Sequence, residues 1–332
     1  MIKQFFSKYF MYLLLALCVS ASVFTITRVY WGSTFPYTHD GNNHLARFAS
    51  YKLALREGHF PPRISPNLMN RYGYPVFNFN YPLANILSVP GSLLKLPYEK
   101  IFFVQVVIAM AIAWTGVFYG LRLSKKKIGE SIIFSSLYLS TPYISTALLF
   151  RGTIGEVWAY ALLPWIWCST FWIQEIVSKS KNKSKLISKN TLLKIATVVT
   201  WVSFMLAHNI SLVLSVPFVL ALSIYQFGVN RSYYVQALKL GFLAFCLSAW
   251  FWIPAYIEKN QTVLADAELN NEYVQHFLTL DTLFFSSHNF GYSLPGHSNT
   301  FAPSFGLPLV FVTVYLNAVF VILLGLQAAK KI

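Results

Sequence analysis

Apolar residues are concentrated in eight stretches of the chain, each long enough to cross a lipid bilayer as a helix. A transmembrane helix needs roughly 17–25 consecutive, mainly apolar residues. The stretches of this length are 9–31, 101–121, 129–150, 157–177, 191–208, 210–228, 238–257 and 308–328. A shorter apolar segment, 83–97, is interrupted by proline and glycine, which favours an interfacial or re-entrant element. The pattern therefore predicts an all-α polytopic membrane protein with about eight transmembrane helices.

Basic residues between these stretches indicate the orientation of the chain. Loops on the cytoplasmic side of a membrane carry an excess of lysine and arginine. With this number of helices the basic residues fall on one side: Lys3, Lys8, Arg122, Lys125–Lys127, the lysines of 179–189, Arg231, Lys239, Lys330 and Lys331. We therefore predict an integral protein of the cell membrane, with 1–332 as a single transmembrane domain and both termini cytoplasmic. The long loops 32–100 and 258–307 are then extracytoplasmic. Cleavage of the first stretch as a signal peptide is an alternative.

Composition supports a membrane protein and gives no support to a nucleic-acid-binding protein. Hydrophobic residues make up 56% of the 332 residues and aromatic residues 17%, more than a soluble domain can bury. The net charge is +15, but the lysines lie in short segments between apolar stretches, so the topology explains them. The lysine-rich loop 178–190 is either a topological signal or a site for anionic lipids. The three cysteines lack any CxxC or zinc spacing, so neither disulfides nor a thiolate metal site is predicted.

The first outer loop begins with THDGNNH, in which Asp40 directly precedes a predicted helix from about Asn43 to Gly58. A glycine at the end of this segment is typical of a helix stop. Two roles are open for Asp40. It is either the N-cap of this amphipathic helix, worth about 0.5–2 kcal/mol, or a general base with His44 beside it. A third possibility is that His39, Asp40 and His44 hold a divalent cation.

The next part of the loop combines prolines, arginines and alternating aromatic residues. Arg63 and Arg71 are candidates for binding a phosphate, because a guanidinium offers two parallel hydrogen bonds to an anion. Every second position is aromatic through most of a short stretch: Tyr72, Tyr74, Phe77, Phe79 and Tyr81. Such residues either anchor the loop at the membrane interface or form a surface that contacts sugar and isoprenoid groups.

The short outer turns carry further polar residues at the ends of predicted helices. Arg151 and Glu156 lie in FRGTIGEVW and form either a local ion pair or a site for an anionic headgroup. His208 and Asn209 lie in LAHNIS, and Glu258 ends the seventh stretch. Ionisable groups at such depth are functional candidates. We expect one cavity lined by these residues together with Asp40 and His44, and covered by an interfacial helix at 273–285.

The motifs occur in the order HDGNNHLAR, ALREGHFPPRISPNLMNRYGYPVFNFNYPL, RGTIGEVWAYALLPW, LAHNIS and LSAWFWIPAYIE. Over about 38–260, the chain resembles the uncharacterised membrane family labelled "6-pyruvoyl-tetrahydropterin synthase-related". The soluble synthases of that name use zinc-bound histidines in a small α+β domain. This sequence has no such domain, so no pterin chemistry is expected.

The arrangement of helices and loops is similar to that of the GT-C superfamily of membrane glycosyltransferases. Members have a long outer loop after the first helix, with an acidic catalytic residue near its start, and this position corresponds to Asp40. Two features differ from the superfamily's pattern. Asp40 is followed by Gly41, where many members have a second acid, and the sequence stops after the eighth stretch, where relatives are often longer.

The resemblance implies transfer of a sugar from a polyprenyl phosphate to a glycan, lipid or protein acceptor outside the cytoplasm. Asp40 would be the base, and one of Arg63, Arg71 and Arg151 would stabilise the leaving phosphate. His44 or His208 would position the acceptor or the phosphate. The alternative is a non-enzymatic protein that binds a lipid-linked glycan or moves it like a flippase. The charges inside the predicted helices are few and lie near their cytoplasmic ends, which argues against ion-coupled transport: Glu130, Glu175 and Lys194.

Overall fold

A computed structural model describes residues 16–24, 26–32, 34–139, 141, 143–144, 147–179 and 187–262. Within these ranges the chain is helical and forms no β-strand, so the predicted all-α class is confirmed. Nine α-helices have both ends inside the described residues: α1 (Gly41–Arg56), α2 (Val76–Phe79), α3 (Leu83–Leu93), α4 (Tyr98–Leu123), α5 (Ile128–Leu139), α6 (Ile154–Lys179), α7 (Ile187–Ala207), α8 (Asn209–Phe227) and α9 (Arg231–Glu258).

Four helices of the described part are long and apolar enough to cross a membrane. Their spans are Tyr98–Leu123, Lys189–Ala207, Asn209–Phe227 and Arg231–Gln261. They coincide with four of the stretches that the sequence predicts. Helix α6 covers a fifth predicted stretch and packs against both α4 and α7. The chain is therefore a helical membrane protein by the length and composition of its helices.

One predicted span is wrong as a continuous helix. The stretch 129–150 is divided, since α5 ends at Leu139 and a separate π-helical turn covers Ala147–Arg151. Thr141 has no helical conformation, and it precedes Pro142, whose ring disfavours the α-conformation in the residue before it. The segment 83–97 contains a short apolar helix, α3, and its interfacial or re-entrant position stays a prediction.

Three predicted regions lie partly or wholly outside the described residues. Of the first stretch, residues 16–24 are helical and Arg28–Trp31 form a 3-10 turn. The second outer loop is described only as far as residue 262, and the stretch 308–328 lies beyond that point. The predicted interfacial helix at 273–285 also falls there.

A buried glutamine joins three helices below the first outer loop. Gln105 on α4 is 3% exposed and donates to the carbonyl of Ala84 on α3 at 3.0 Å. Its side-chain oxygen accepts from Trp158 Nε1 on α6 at 2.9 Å. Both ends of the amide are satisfied, as a buried polar group requires. Gln105 thus fixes the positions of α3 and α6 relative to α4.

The first outer loop is a folded layer over the helix bundle. Helix α1 ends where the sequence predicts, because Gly58 adopts a left-handed φ of 86°. Ser65 and Tyr74 exchange two backbone hydrogen bonds, of 2.8 and 3.0 Å, which close the following segment. Phe77 is 2% exposed and packs edge-on against Tyr51 of α1 at 5.1 Å between ring centroids. The loop therefore has its own small core.

Candidate functional site

Two backbone hydrogen bonds tie the start of the first loop to the turn before α6. The amide of His39 donates to the carbonyl of Phe150 at 2.9 Å, and the amide of Asp40 donates to the carbonyl of Arg151 at 2.8 Å. The next residue in the turn is Gly152, which has a left-handed φ of 64°, and a β-carbon there would lie 2.3 Å from Thr38 Oγ1. The main chain thus sets Asp40 beside Arg151.

The carboxylate of Asp40 makes no pairing contact within the described part of the chain. Asp40 occupies the position before α1, but its side chain makes no capping hydrogen bond. Thr38 provides the cap instead, because its Oγ1 accepts from the amide of Gly41 at 3.1 Å. Among the described residues the half-buried carboxylate of Asp40 has neither a hydrogen bond nor an ion pair. Asp40 therefore occupies the N-cap position without capping the helix through its side chain, and its oxygens are available to a ligand.

Glu156, on the first turn of α6, is a buried carboxylate held by several donors. Its side chain is 5% exposed. Arg151 Nη1 lies 2.7 Å from Oε1 and 2.8 Å from Oε2. The hydroxyls of Tyr143 and Thr153 each donate to Oε2 at 3.2 Å. The predicted ion pair between Arg151 and Glu156 is present, and it orients a guanidinium that is itself 45% exposed.

His208 borders this ion pair from the loop between α7 and α8. Its Nδ1 accepts from the amide of Ser211 at 3.3 Å, so a neutral ring carries its proton on Nε2. Nε2 lies 3.7 Å from Glu156 Oε1. Burial lowers the pKa of His208; the Glu156 carboxylate raises it and Arg151 lowers it. The imidazole is therefore a neutral donor that faces the carboxylate.

The ring of Tyr81 lies near both candidate histidines, His44 and His208. Its ring centroid is 5.0 Å from that of His208 and 6.2 Å from that of His44. Burial raises the pKa of the Tyr81 phenol, and four charged side chains also act on it: Arg47, Glu156, Asp40 and Arg151. Two acids and two arginines thus surround this hydroxyl.

His44 is buried on α1 as a neutral imidazole. It is 2% exposed, and its Nε2 has no hydrogen-bond partner in the described part of the chain. Burial lowers the pKa of His44 to about 3, and the charge of Arg47 acts in the same direction. His44 therefore carries no positive charge near neutral pH. Its free nitrogen can bond to a hydroxyl of a ligand.

The remaining predicted site residues do not join this group. Arg63 Nη1 lies 3.6 Å from Glu258 Oε1, and Asn78 Nδ2 donates to Glu258 Oε2 at 2.9 Å. These contacts tie the first loop to the end of α9. Arg71 is an exposed residue with a left-handed φ of 71°. Glu258 thus pairs with Arg63 and Asn78, and the single cavity lined by all of the predicted residues stays a prediction.

Asn209 and the proposed cation ligands are arranged differently from the prediction. Asn209 is the first residue of α8, and its Oδ1 is buried without a hydrogen-bond donor among the described residues. His39 is exposed whereas His44 is buried. No group of three histidine, cysteine, aspartate or glutamate side chains suited to a metal is present in the described ranges.

Sequence reasoning missed the roles of Tyr81 and Arg47. Tyr81 is one member of the aromatic alternation, and only its neighbours in space separate it from Tyr72, which is 92% exposed. Arg47 follows His44 by three residues on the predicted helix, a spacing that puts both on one face. That spacing is the one signal in the sequence that connects Arg47 to the site.

Comparisons with known proteins give no assignment. No protein family, curated protein or solved structure matches the chain. The resemblance to the synthase-related membrane family and to the GT-C superfamily therefore stays a prediction. The function has to be argued from the arrangement of the side chains.

Proposed function

We propose that the chain is a membrane glycosyltransferase of the GT-C type, which moves a sugar from a polyprenyl phosphate to an acceptor hydroxyl. One observation carries the proposal: adjacent backbone hydrogen bonds join the main chain of Asp40, whose carboxylate has no partner among the described residues, to that of Arg151, whose guanidinium is 45% exposed. Glycosyl transfer from a lipid phosphate needs a base for the acceptor and a cation for the leaving phosphate. We assign the base to Asp40 and the cation to Arg151.

Asp40 acts as the general base in this proposal. Its carboxylate takes the proton from the acceptor hydroxyl while the hydroxyl oxygen attacks the anomeric carbon of the donor sugar. The bond between that carbon and the phosphate oxygen breaks, and the polyprenyl phosphate leaves with the electron pair. A positioned base contributes roughly 10²–10⁴ to the rate of such a step. The absence of a salt bridge to Asp40 in the described part of the chain leaves its oxygens open to the acceptor.

Arg151 stabilises the charge that develops on the leaving phosphate. Both of its contacts to Glu156 use Nη1, and a guanidinium has five N–H donors, so donors remain for an anion. Glu156 fixes the orientation of this group before the substrate binds, which is the condition for electrostatic catalysis. Arg47 adds a second positive charge, and both arginines act on the Tyr81 hydroxyl.

The neutral groups around this centre position the sugars. His44 Nε2 is buried without a partner among the described residues, and His208 and Tyr81 offer further polar atoms. Binding sites commonly combine an apolar wall with a few polar atoms that fix the orientation of the ligand. We assign these three residues to orienting the acceptor or the donor sugar, which agrees with the expected role of His44 or His208.

The proposed orientation puts the site outside the cytoplasm, with both termini of an eight-helix chain inside. Glu156 lies on the first turn of α6, and the lysine pair Lys125 and Lys126 follows α4 at the other end of the bundle. Basic loops favour the cytoplasmic side. The polyprenyl-phosphate donor would reach the site from the outer leaflet of the membrane.

The test is turnover of radiolabelled polyprenyl-phosphate hexoses by the purified chain in lipid nanodiscs. Asp40→Asn is compared with Glu57→Gln, which changes an exposed acid at the end of the same helix. We expect Asp40→Asn to lose at least about 100-fold in rate at an unchanged thermal midpoint, and Glu57→Gln to retain activity. Equal turnover by both variants would remove Asp40 from the chemistry. Binding of the lipid-linked sugar without turnover, over a broad donor and acceptor panel, would favour the non-enzymatic alternative.

A further inference from the structure

A polar cavity lies at the other end of the bundle from Glu156. Its volume is about 590 Å³, and it lies among the end of α6 and the starts of α7 and α9. Gln174 on its wall follows Glu156 by 18 residues on the same helix. At 1.5 Å per residue the two are about 27 Å apart, close to the thickness of the hydrocarbon core of a membrane. The cavity is therefore separate from the candidate site above.

The cavity is lined by neutral hydrogen-bonding groups and one cation. The polar side chains that line it include Gln174, Ser178, Asn190, Lys194, Ser232 and Gln236. The buried side-chain oxygens Oε1 of Gln174 and Oδ1 of Asn190 have no hydrogen-bond donor in the described part of the chain. Buried polar atoms without partners are costly, and donors brought by a ligand would satisfy them.

Lys194 supplies the positive charge of the cavity wall. No hydrogen bond or ion pair to Lys194 occurs among the described residues. Glu175 next to the cavity already pairs with Lys189, at 2.8 Å between Nζ and Oε1. The net local charge available to a ligand is therefore positive. One ammonium together with amides and hydroxyls matches a phosphate ester that carries hydroxyl groups, because the phosphate pairs with the ammonium and the hydroxyls donate to the amide oxygens.

The surroundings indicate that this phosphate ester belongs to a lipid. On α7 the neighbours of Lys194 are apolar and exposed, with Ile195 at 54% and Leu192 at 65%. On α9 the same holds near Gln236, where Leu238 is 73% exposed. Both helices are long and apolar enough to span a membrane. A lipid can keep its acyl chains along these faces while its headgroup enters the cavity.

We propose that this cavity binds the headgroup of an anionic phospholipid whose phosphate carries a hydroxylated alcohol. Lys194 pairs with the phosphate, and Gln174 and Asn190 accept hydrogen bonds from the hydroxyls. A zwitterionic choline headgroup has no hydroxyl donors and fits poorly. The proposal does not depend on glycosyl transfer, because it concerns the opposite end of the bundle and its measurement is lipid binding.

The experiment titrates phosphatidylglycerol into the full chain held in phosphatidylcholine nanodiscs and counts the bound lipids by native mass spectrometry. We expect one preferentially retained phosphatidylglycerol per chain. Lys194→Gln should weaken its retention about tenfold, the loss of one charge-assisted hydrogen bond. Lys239→Gln is the matched control, because Lys239 is an exposed lysine of α9 that does not line the cavity. Gln174→Leu is a second variant, which removes one of the two amides that accept from the headgroup and keeps the charge.

The outcomes separate the headgroup from other sources of binding. Equal weakening by Lys194→Gln and Lys239→Gln would overturn the proposal, because it would mean attraction by surface charge alone. Equal retention of phosphatidylmethanol, which is anionic but whose headgroup has neither a hydroxyl nor an N–H donor, would overturn the role of the amides. Soluble glycerol phosphate that competes as tightly as the lipid would overturn the lipid source. Selective weakening by Lys194→Gln and by Gln174→Leu supports the site.

Discussion

The ring of Tyr81 lies directly against the backbone of Gly155, so closely that a β-carbon at residue 155 would be 2.0 Å from Cε2 of the ring. Gly155 precedes the buried carboxylate of Glu156. The missing side chain lets the first loop approach α6 at this point. The contact puts the tyrosine among the charges of the site.

Gly155→Ala is therefore expected to displace Tyr81. A separation of 2.0 Å is far below any contact between carbon atoms, so the ring must move or α6 must shift. We expect a lower thermal midpoint and, if the chain is a transferase, lower turnover. Gly241→Ala is the control: a β-carbon there meets no atom within 4 Å, and alanine favours a helix by about 1 kcal/mol over glycine. Equal midpoints for the two variants would contradict the close approach of Tyr81.

Arg151 and Arg63 should respond differently to replacement by glutamine. Arg151→Gln leaves the carboxylate of Glu156 buried without its cation. Loss of one partner costs about 3–5 kcal/mol of stability in a fully buried pair. Because the Arg151 side chain is partly exposed, we expect a cost of about 1–3 kcal/mol. Arg63→Gln breaks a pair whose side chains are 46% and 40% exposed, which is worth about 0.2–1 kcal/mol. Thermal unfolding in nanodiscs measures the loss of stability in both variants. A larger loss for Arg63→Gln than for Arg151→Gln would contradict the assignment of Arg151 as the cation that pairs with the buried Glu156.

Stability should decrease as the pH falls below about 6.5, the ordinary pKa of histidine. The unfolded chain then binds a proton at His44, whereas the folded chain does not until the pH approaches its pKa of about 3. The folded state therefore loses stability across this window, by about 1.4 kcal/mol per pH unit for one such proton. Burial lowers the pKa of His208 as well, and this adds to the effect with the same sign.

The variant His44→Gln tests this pH dependence. It removes one titrating group, so the thermal midpoint should fall less steeply between pH 6.5 and pH 4 than in the unchanged chain. His59→Gln, at an exposed position after α1, should leave the slope as it is. A slope unaffected by His44→Gln would mean that another group causes the loss of stability.

Thr38 should be needed for its hydroxyl and not for its volume. Its Oγ1 accepts from the amide of Gly41 at the start of α1. Thr38→Val keeps the shape and removes the acceptor, at a cost of about 0.5–2 kcal/mol, while Thr38→Ser keeps the acceptor. A lower thermal midpoint for the valine variant alone is the expected result. Equal midpoints would show that the cap contributes nothing.

The sequence predicts the local features of the fold well and the distant contacts poorly. The spans at α4, α7, α8 and α9 follow from apolar length, and the end of α1 follows from Gly58. These depend on neighbouring residues only. The division of the stretch 129–150 is also a local feature, but the number of apolar residues does not predict it. The predicted span includes Pro142, whereas the helix ends at Leu139.

The candidate site shows the same limit. Arg151 and Glu156 are five residues apart, so their ion pair can be predicted from their spacing. The hydrogen bond between Asn78 and Glu258 joins residues 180 positions apart, so the pattern of neighbouring residues does not predict it. The close contact between Tyr81 and Gly155 likewise depends on how the first loop packs on α6, and the sequence alone does not predict it. Pairings of this kind depend on how the helices assemble.

The two backbone hydrogen bonds at His39 and Asp40 also set an order of events during synthesis. Their acceptors, Phe150 and Arg151, follow the donors by 111 residues (150 − 39 and 151 − 40). At 5–20 residues per second, the ribosome reaches these acceptors roughly 6–22 s after it has made the donors. The first loop therefore emerges well before its docking partner exists. During that interval its apolar side chains need a membrane surface or a chaperone, which makes this loop the part of the nascent chain most open to misassembly.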